Sequence, residues 1–255
     1  MLAQLLTAVA DGSVEIVDLT APLSERTPIL RLPEPFANTV PFRLKKISRY
    51  DDRGPAWYWN DIETGEHVGT HFDAPVHWAT GRDGEDVSQV PPGRLVAPAV
   101  VLDASAHAAA DPDFLLEIDH VRDWEKANGP LPDGGWLLYR TGWDARSGDQ
   151  ESFLNADENG PHTPGISAEC ARWLAEETPR PRARHGDRRH RRGRRPRVRP
   201  ALPVPLLLPR RRQVRPHPAA EPRTAAARGT VLVASPLPIV GGSGSPARVL
   251  ALIER

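Results

Sequence analysis

The sequence predicts a globular α/β domain in which a mixed sheet is flanked by helices. Of its 255 residues, 39% are hydrophobic and 26% are charged, which is the balance of an ordinary folded domain. Segments with strand periodicity outnumber segments with helical periodicity, and the two kinds do not alternate regularly along the chain. A doubly wound parallel sheet requires such alternation, so that class is excluded. A chain of this length can bury one core, and we expect residues 1–255 to form a single domain.

The elements of the first half follow from apolar periodicity and from turn residues. Residues 2–10 form an apolar run with helical spacing, and residues 14–19 alternate like a strand. Prolines interrupt residues 22–35, which predicts a loop. Residues 42–50 and 56–64 flank an Asp-Asp-Arg-Gly turn, so they predict a pair of antiparallel strands.

Two helices and four strands are predicted in the rest of the chain. Gly129 and Pro130 end the first helix, and Ser167 caps the second, which has Glu169 in its first turn. The strands are apolar runs bounded by turn residues. The helices are predicted at residues 119–128 and 167–177, and the strands at residues 97–102, 135–141, 230–234 and 249–253.

The predicted location is the cytoplasm. The chain has one cysteine, Cys170, so no disulfide can form within it and a reducing compartment is expected. No apolar run approaches the roughly 20 residues that a bilayer span needs. The first ten residues are apolar but lack the basic region of a signal peptide. We therefore expect a protein without a membrane partner.

Residues 179–223 differ from the rest of the chain in composition. They hold 16 arginines, no lysine and only two acidic residues, Asp187 and Glu221, which gives a formal charge of +14. Because the whole chain has no net charge, the other residues carry −14. The segment has neither helical nor strand periodicity and too few apolar residues for a core. We expect it to be irregular and poorly packed.

Two interpretations of this aberrant Arg/Pro-rich segment are open. One is a basic arm that binds nucleic acid, but such arms usually mix lysine with arginine and lie at a terminus. The other is a shifted reading frame, because arginine, proline and alanine have GC-rich codons. The position of the segment between a helix and a final strand favours two compensating frameshifts, near Thr178 and near Ala225. Nucleic acid is then the less favoured partner.

The clearest chemical signal is the segment from His67 to Trp78. In an extended conformation alternate side chains face the same side, which places His67, His71 and Asp73 on one face. His77 has the same phase. Two imidazoles and a carboxylate suit Zn²⁺ or another borderline divalent ion. Three protein ligands leave one position open for water, as a catalytic site requires.

His77 is the candidate acid/base. The metalloprotease motif H-E-x-x-H is absent because Val68 follows His67, so the proton acceptor must come from elsewhere. A neutral imidazole can take a proton near pH 7. A solvent face without a joint role is the alternative, but three histidines and an aspartate in eleven residues argue against it. Trp59 and Trp78 are weaker candidates for stacking on an aromatic substrate, since packing explains large aromatic side chains equally well.

The segment also resembles a known family signature. Residues 67–77 read H-V-G-T-H-F-D-A-P-V-H and match the pattern H-x-G-T-H-x-D-x-P-x-H of the cyclase-like metal-dependent hydrolases, which include bacterial kynurenine formamidase and isatin hydrolase. The resemblance covers about residues 14–177 and 229–253. Further matches are D-L-T-A-P-L at 18–23, R-T-G-W at 140–143, P-G-I-S at 164–167 and A-S-P-L-P-I at 234–239.

The resemblance implies a swivelling β/β/α domain that assembles as a homodimer or homotetramer. It implies that His67, His71 and Asp73 bind Zn²⁺ or Mn²⁺ and that His77 acts in catalysis. Family members also draw a His and a Glu or Gln from the C-terminal third, and residues 179–223 offer no match to them. A shifted frame restores a His from codons around residues 198–206 and a Gln from codons at 218–219.

These observations predict a metal-dependent hydrolase that cleaves an amide C–N bond in a small aromatic molecule. The substrate is an N-formyl arylamine, as for the arylformamidase of tryptophan catabolism, or a cyclic amide. Formamidases, lactamases and lactonases share the motif, so several substrates stay open. The alternatives are a catalytically inactive family member, or a nucleic-acid-binding protein that uses the arginine-rich segment.

Overall fold

The fold was analysed in a computed structural model, which describes residues 2–158, 160–176 and 229–255. The prediction that residues 179–223 are irregular and contribute no ligand lies outside these residues. The helices are α1 (Leu2–Ala10), α2 (Ser105–Ala110), α3 (Ile118–Asn128), α4 (Gln150–Leu154) and α5 (Ala168–Glu176). The strands are β1 (Val14–Asp18), β2 (Arg43–Asp51), β3 (Gly54–Glu63), β4 (His71–Asp73), β5 (Val96–Asp103), β6 (Leu115–Leu116), β7 (Trp136–Arg140), β8 (Ala156–Asp157), β9 (Gly160–Pro161), β10 (Gly165–Ile166), β11 (Thr230–Pro236) and β12 (Gly244–Glu254).

The central sheet is mixed. Its strand order is β1-β12-β11-β5-β7, and β4 pairs with β12 beside this path. Only the β5–β7 pair is parallel among the pairs of this sheet in the described residues, and the other pairs are antiparallel. The predicted α/β class with a mixed sheet and flanking helices is confirmed.

Strand β12 organises the central sheet because three strands, β1, β4 and β11, pair with it. Its first residues, Gly244–Pro246, pair with β4, and its last residues pair with β1. Strand β11 runs along its other edge over seven residues. Apolar residues alternate along β12, which buries Ala247, Val249 and Ala251. The strand therefore holds β4 against the rigid centre of the domain.

Two clusters of buried side chains form the core on the two faces of the sheet. Neighbouring residues of β7 point to opposite faces, so Leu138 joins one cluster and Tyr139 the other. The first cluster packs Leu232 and Val249 against Phe72, the residue between His71 and Asp73. The second packs the sheet against α3 and α5 through Val121 and Cys170. Burying these side chains stabilises the domain by roughly 1.5–3 kcal/mol for each large aliphatic group.

Most element predictions match the structure within two residues. The helix at residues 167–177 begins as expected, since the Ser167 hydroxyl accepts a hydrogen bond from the Cys170 backbone N–H at 3.1 Å. Two predictions are wrong in extent. The last strand begins at Gly244 and not near Val249, because Gly244–Pro246 pair with β4. The extended segment from His67 to Trp78 shrinks to His71–Asp73.

Among the residues that the structure describes, no helix is both long and apolar enough to cross a bilayer.

Candidate metal centre

The backbone around β4 bends twice, and both bends bring side chains together. Gly69 has φ +67°, a left-handed conformation that disfavours any side chain, and it turns the chain between His67 and His71. Pro75 begins a 3₁₀ turn, Pro75–His77, after the strand ends. The side chains therefore meet through turns at both ends of a short strand and not through one continuous extended face.

Three metal-competent groups converge at this point. One ligand atom from each of His67, His71 and Asp73 can be chosen so that all three lie within 4.8 Å of one another. The Nδ1 atom of His67 is 2.8 Å from Asp73 Oδ1, and the Nε2 atom of His71 is 3.3 Å from the same oxygen. All three side chains are half-buried, so small molecules can reach them from solvent.

The hydrogen bonds of His71 test whether a cation fits here. Its Nδ1 atom lies 2.8 Å from the Gly69 carbonyl oxygen, which can only accept, so Nδ1 carries the proton. A neutral imidazole has one proton, so Nε2 presents a lone pair to the Asp73 carboxylate. Two lone pairs at 3.3 Å repel unless a cation lies between them. The donor set of two imidazoles and one carboxylate therefore fits a divalent ion.

Asp73 stays an acceptor in this cluster. Burial alone raises the pKa of the Asp73 carboxyl, but in the metal-free protein the hydrogen bonds and charges of protonated His67 and His71 outweigh burial. The result is a pKa well below the ordinary aspartate value. The carboxylate therefore has no proton to donate at neutral pH and is available as a ligand.

His67 is held from its outer side by two residues. Its Nε2 atom lies 2.9 Å from Ser243 Oγ, and this oxygen is 2.5 Å from Glu66 Oε2. The backbone N–H of Ser243 donates to the same Glu66 oxygen at 3.1 Å. Gly244 lies so close that a Cβ there would be 2.6 Å from His67 Cε1. The loop before β12 thus fixes the position of the His67 ring.

His77 and Trp78 lie beside the three converging groups. The centroids of the His77 and His67 rings are 3.9 Å apart with an interplanar angle of 33°, and the Trp78 ring meets His77 edge-on at 4.6 Å. Burial, and next the charge that the neighbouring His67 carries when it is protonated, lowers the pKa of His77 below the ordinary histidine value. His77 is therefore neutral at neutral pH and can accept a proton.

A pocket of about 380 Å³ adjoins the cluster. Asp73, Trp78, Arg94 and Trp136 are among the residues that line it. Trp59 has a different position: it lies in the β2–β3 hairpin, which forms a separate two-stranded sheet, and 53% of its surface is exposed. The structure thus brings Trp78, but not Trp59, to this pocket.

Comparison with known proteins places the chain in a family. The sequence model of the Cyclase family, described as "Putative cyclase", matches residues 17–181. The chain is 41% identical over 256 residues to the isatin hydrolase of Roseibium aggregatum, covering 96% of this chain and 94% of that protein. The chain belongs to the Cyclase family. This confirms the resemblance seen in the motif at residues 67–77.

Solved structures of isatin hydrolases share its fold. Isatin hydrolase A from Ralstonia solanacearum superposes with a TM-score of 0.80 at 38% identity, covering 100% of this chain and 97% of that one. An isatin hydrolase bound to the product analogue thioisatinate also gives 0.80, at 36% identity, covering 100% and 98% of the two chains. The chain is thus a Cyclase-family homologue of amide-hydrolysing enzymes.

Sequence reasoning missed Glu66, Ser243 and Gly244. Glu66 precedes the motif by one residue and lies outside its alternating pattern. The glycine- and serine-rich run at residues 241–245 by itself indicates only a flexible turn before the last strand. The signal that could have identified Ser243 and Gly244 is the density of small residues in this run, because small residues let a backbone approach a buried ring closely.

Proposed function

We propose that this protein is a metal-dependent hydrolase that opens the amide C–N bond of a small cyclic aromatic amide of the isatin type. The observation that carries the proposal is the convergence of His67, His71 and Asp73, with the His71 proton held outward by Gly69. The 41% identity to an isatin hydrolase over nearly the whole chain supports the substrate class.

The three converging residues would hold one divalent ion. When bound, such an ion supplies Lewis-acid activation of water and of the amide carbonyl. Imidazole and carboxylate ligands are compatible with both Zn²⁺ and Mn²⁺, and we propose one of these two. Metal analysis of protein purified without chelator, followed by reconstitution with each ion, decides between them.

His77 would move the proton that the reaction requires. Hydrolysis adds the water oxygen to the amide carbon, breaks the C–N bond and leaves a carboxylate and an amine. One proton of the attacking water must therefore pass to the departing nitrogen, and the other is released to solvent as the new carboxyl group ionises. His77 is neutral at neutral pH and lies against His67, so it is suited to accept that proton and return it.

The pocket beside Asp73 supports an aromatic substrate. Its volume of about 380 Å³ falls within the range of small-molecule sites, about 300–1,000 Å³. Trp78 and Trp136 supply aromatic walls for a flat ring. Asp73, one of the three proposed metal ligands, lines the same pocket. We propose Trp78 as a substrate-binding residue. Trp59 stays a weaker candidate.

A substrate panel tests the proposed activity. We expect hydrolysis of isatin, detected as loss of its visible absorbance, to exceed that of an N-formyl arylamine and of an aromatic lactone. An arylformamidase role would instead give faster cleavage of the formamide. Turnover of none of these compounds by metal-loaded protein would contradict the proposed function.

We also propose that the protein is a homo-oligomer of the cytoplasm. The β2–β3 hairpin exposes six large apolar side chains, with 46–68% of the surface of each accessible: Leu44, Tyr50, Trp57, Tyr58, Trp59 and Ile62. Exposed apolar side chains on one hairpin suit contact with a second copy of the chain. Light scattering coupled to gel filtration should give a dimer or tetramer, and Trp57→Glu should shift it toward monomer.

The reading frame of residues 179–223 is a separate proposal. We propose that two compensating frameshifts produced this segment within one domain spanning residues 1–255. Sequencing the coding DNA and translating it in all frames, followed by repair of the frame, tests this proposal. The repaired protein should gain thermal stability and activity together, because core and site residues return together. Equal stability and activity before and after repair would show that the arginine-rich segment is native.

A further inference from the structure

The direction of the protons around His67 follows from three contacts. Glu66 Oε2 receives the backbone N–H of Ser243 at 3.1 Å, and an N–H can only donate, so this oxygen is an acceptor. The Ser243 hydroxyl lies 2.5 Å from the same oxygen and has a single proton, which it therefore donates to Glu66.

That assignment determines the proton of His67. Because Ser243 Oγ has already donated its proton, it can only accept from His67 Nε2, which lies 2.9 Å away. A neutral imidazole then has no proton left for Nδ1, the atom that lies 2.8 Å from Asp73 Oδ1. His71 is arranged in the same way by the Gly69 carbonyl. Both imidazoles thus turn a lone pair toward Asp73.

The ring of His67 is also prevented from reversing. On one side a Cβ at Gly244 would lie 2.6 Å from His67 Cε1, and on another the His77 ring lies 3.9 Å away between centroids. A rotation that exchanged Nδ1 with the opposite ring carbon would collide with this packing. Different neighbours therefore set the orientation of the ring and the position of its proton. Together they leave the Nδ1 lone pair facing Asp73.

We propose that Glu66 and Ser243 are positioning residues that hold His67 with its proton on Nε2 and so present Nδ1 to the metal ion. The inference deepens the proposed function and rests on it, because it requires a metal at this site. Neither residue is a ligand in this assignment. Outer partners of this kind typically change metal affinity by about 10–100-fold when they are removed.

Zinc affinity measured by chelator competition tests this relay, the hydrogen-bonded chain from Glu66 through Ser243 to His67. Ser243→Ala should weaken Zn²⁺ binding by about 10–100-fold, whereas Ser243→Thr, which keeps the hydroxyl, should stay near wild type. Glu66→Gln should lie between the two, because its amide oxygen still accepts but carries no charge. Ser245→Ala is the matched control: within the described residues this buried hydroxyl accepts a hydrogen bond from the Leu237 backbone N–H, donates one to the Pro246 carbonyl oxygen and bonds to no metal-competent side chain, so its loss should lower thermal stability without changing affinity.

Nuclear magnetic resonance of the wild-type protein gives a second measurement that needs no variant. In Zn²⁺-loaded protein labelled with ¹⁵N-histidine, we expect a proton on His67 Nε2 and the metal on Nδ1. A proton on Nδ1, or equal zinc affinity for Ser243→Ala and wild type, would overturn the relay and leave the proposed function standing. Absence of Zn²⁺ and Mn²⁺ binding by wild type would overturn the proposed function itself.

Discussion

Replacing Gly244 by alanine should distort the proposed metal site, because the new side chain would overlap with His67 and with strand β4. The added Cβ would lie 2.6 Å from His67 Cε1 and 2.6 Å from the Phe72 carbonyl oxygen. Non-bonded carbon atoms are ordinarily separated by roughly 3.5 Å, so either the His67 ring or strand β4 must move by about 1 Å. Because Phe72 lies between His71 and Asp73, both responses displace residues that we propose as metal ligands.

The expected magnitudes follow from this overlap. Overpacking of this kind costs about 1–3 kcal/mol in the free energy of unfolding. For a domain of this size that lowers Tm by roughly 3–10 °C. A ligand displaced by about 1 Å no longer matches the others, so we expect metal binding to weaken by at least ~10-fold.

Calorimetric titration with Zn²⁺ and a thermal melt of the same sample measure both effects. Gly148→Ala is the matched control, since a Cβ at Gly148 meets nothing within 4 Å. The control should keep wild-type affinity and Tm. If Gly244→Ala bound Zn²⁺ as tightly as wild type and melted at the same temperature, the close packing of β12 against His67 would be refuted.

Three further predictions concern single side chains. His77→Ala should keep the metal and lose ~10²–10⁴ in kcat, and an unchanged kcat would refute its acid/base role. Burial, and next the charge of Glu117, raises the pKa of the Cys170 thiol to about 11, and the side chain is fully buried, so alkylation at pH 8 should be at least ~100-fold slower in native than in unfolded protein. Hydrogen bonds to Asp157 and Asp113 raise the pKa of His162 above its ordinary value. Its stabilising contribution is present below the unfolded pKa and is lost as pH rises through the folded one, so the unfolding free energy of wild type relative to His162→Gln should fall as pH rises above the ordinary histidine pKa of about 6.5.

The helices and strands were largely predictable because each has a recognisable pattern in its own stretch of sequence. The β2–β3 hairpin follows from alternation around a turn, and α3 follows from its apolar spacing and its stop at Gly129. The strand order was not predictable, because the pairing of β12 with β4 joins residues far apart in the sequence. No local pattern at Gly244–Pro246 indicates which strand they meet.

The candidate site was predictable in part for the same reason. His67, His71 and Asp73 lie within seven residues, so their spacing alone indicates a shared role, and their ligand atoms do converge. The geometry that brings them together was wrongly predicted, because Gly69 turns the chain where an extended strand was expected. Ser243 reaches His67 across 176 residues of sequence, and only the folded sheet reveals that contact.

The central claim is that His67, His71 and Asp73 hold a divalent ion that the reaction requires. Elemental analysis of wild type and His71→Ala, purified without chelator and assayed on isatin before and after chelation, tests it most directly. Wild type should contain at least one Zn²⁺ or Mn²⁺ per chain, lose turnover with the metal and regain it on reconstitution, while His71→Ala should contain none. Metal-free wild-type protein that turns isatin over at an undiminished rate would contradict the claim.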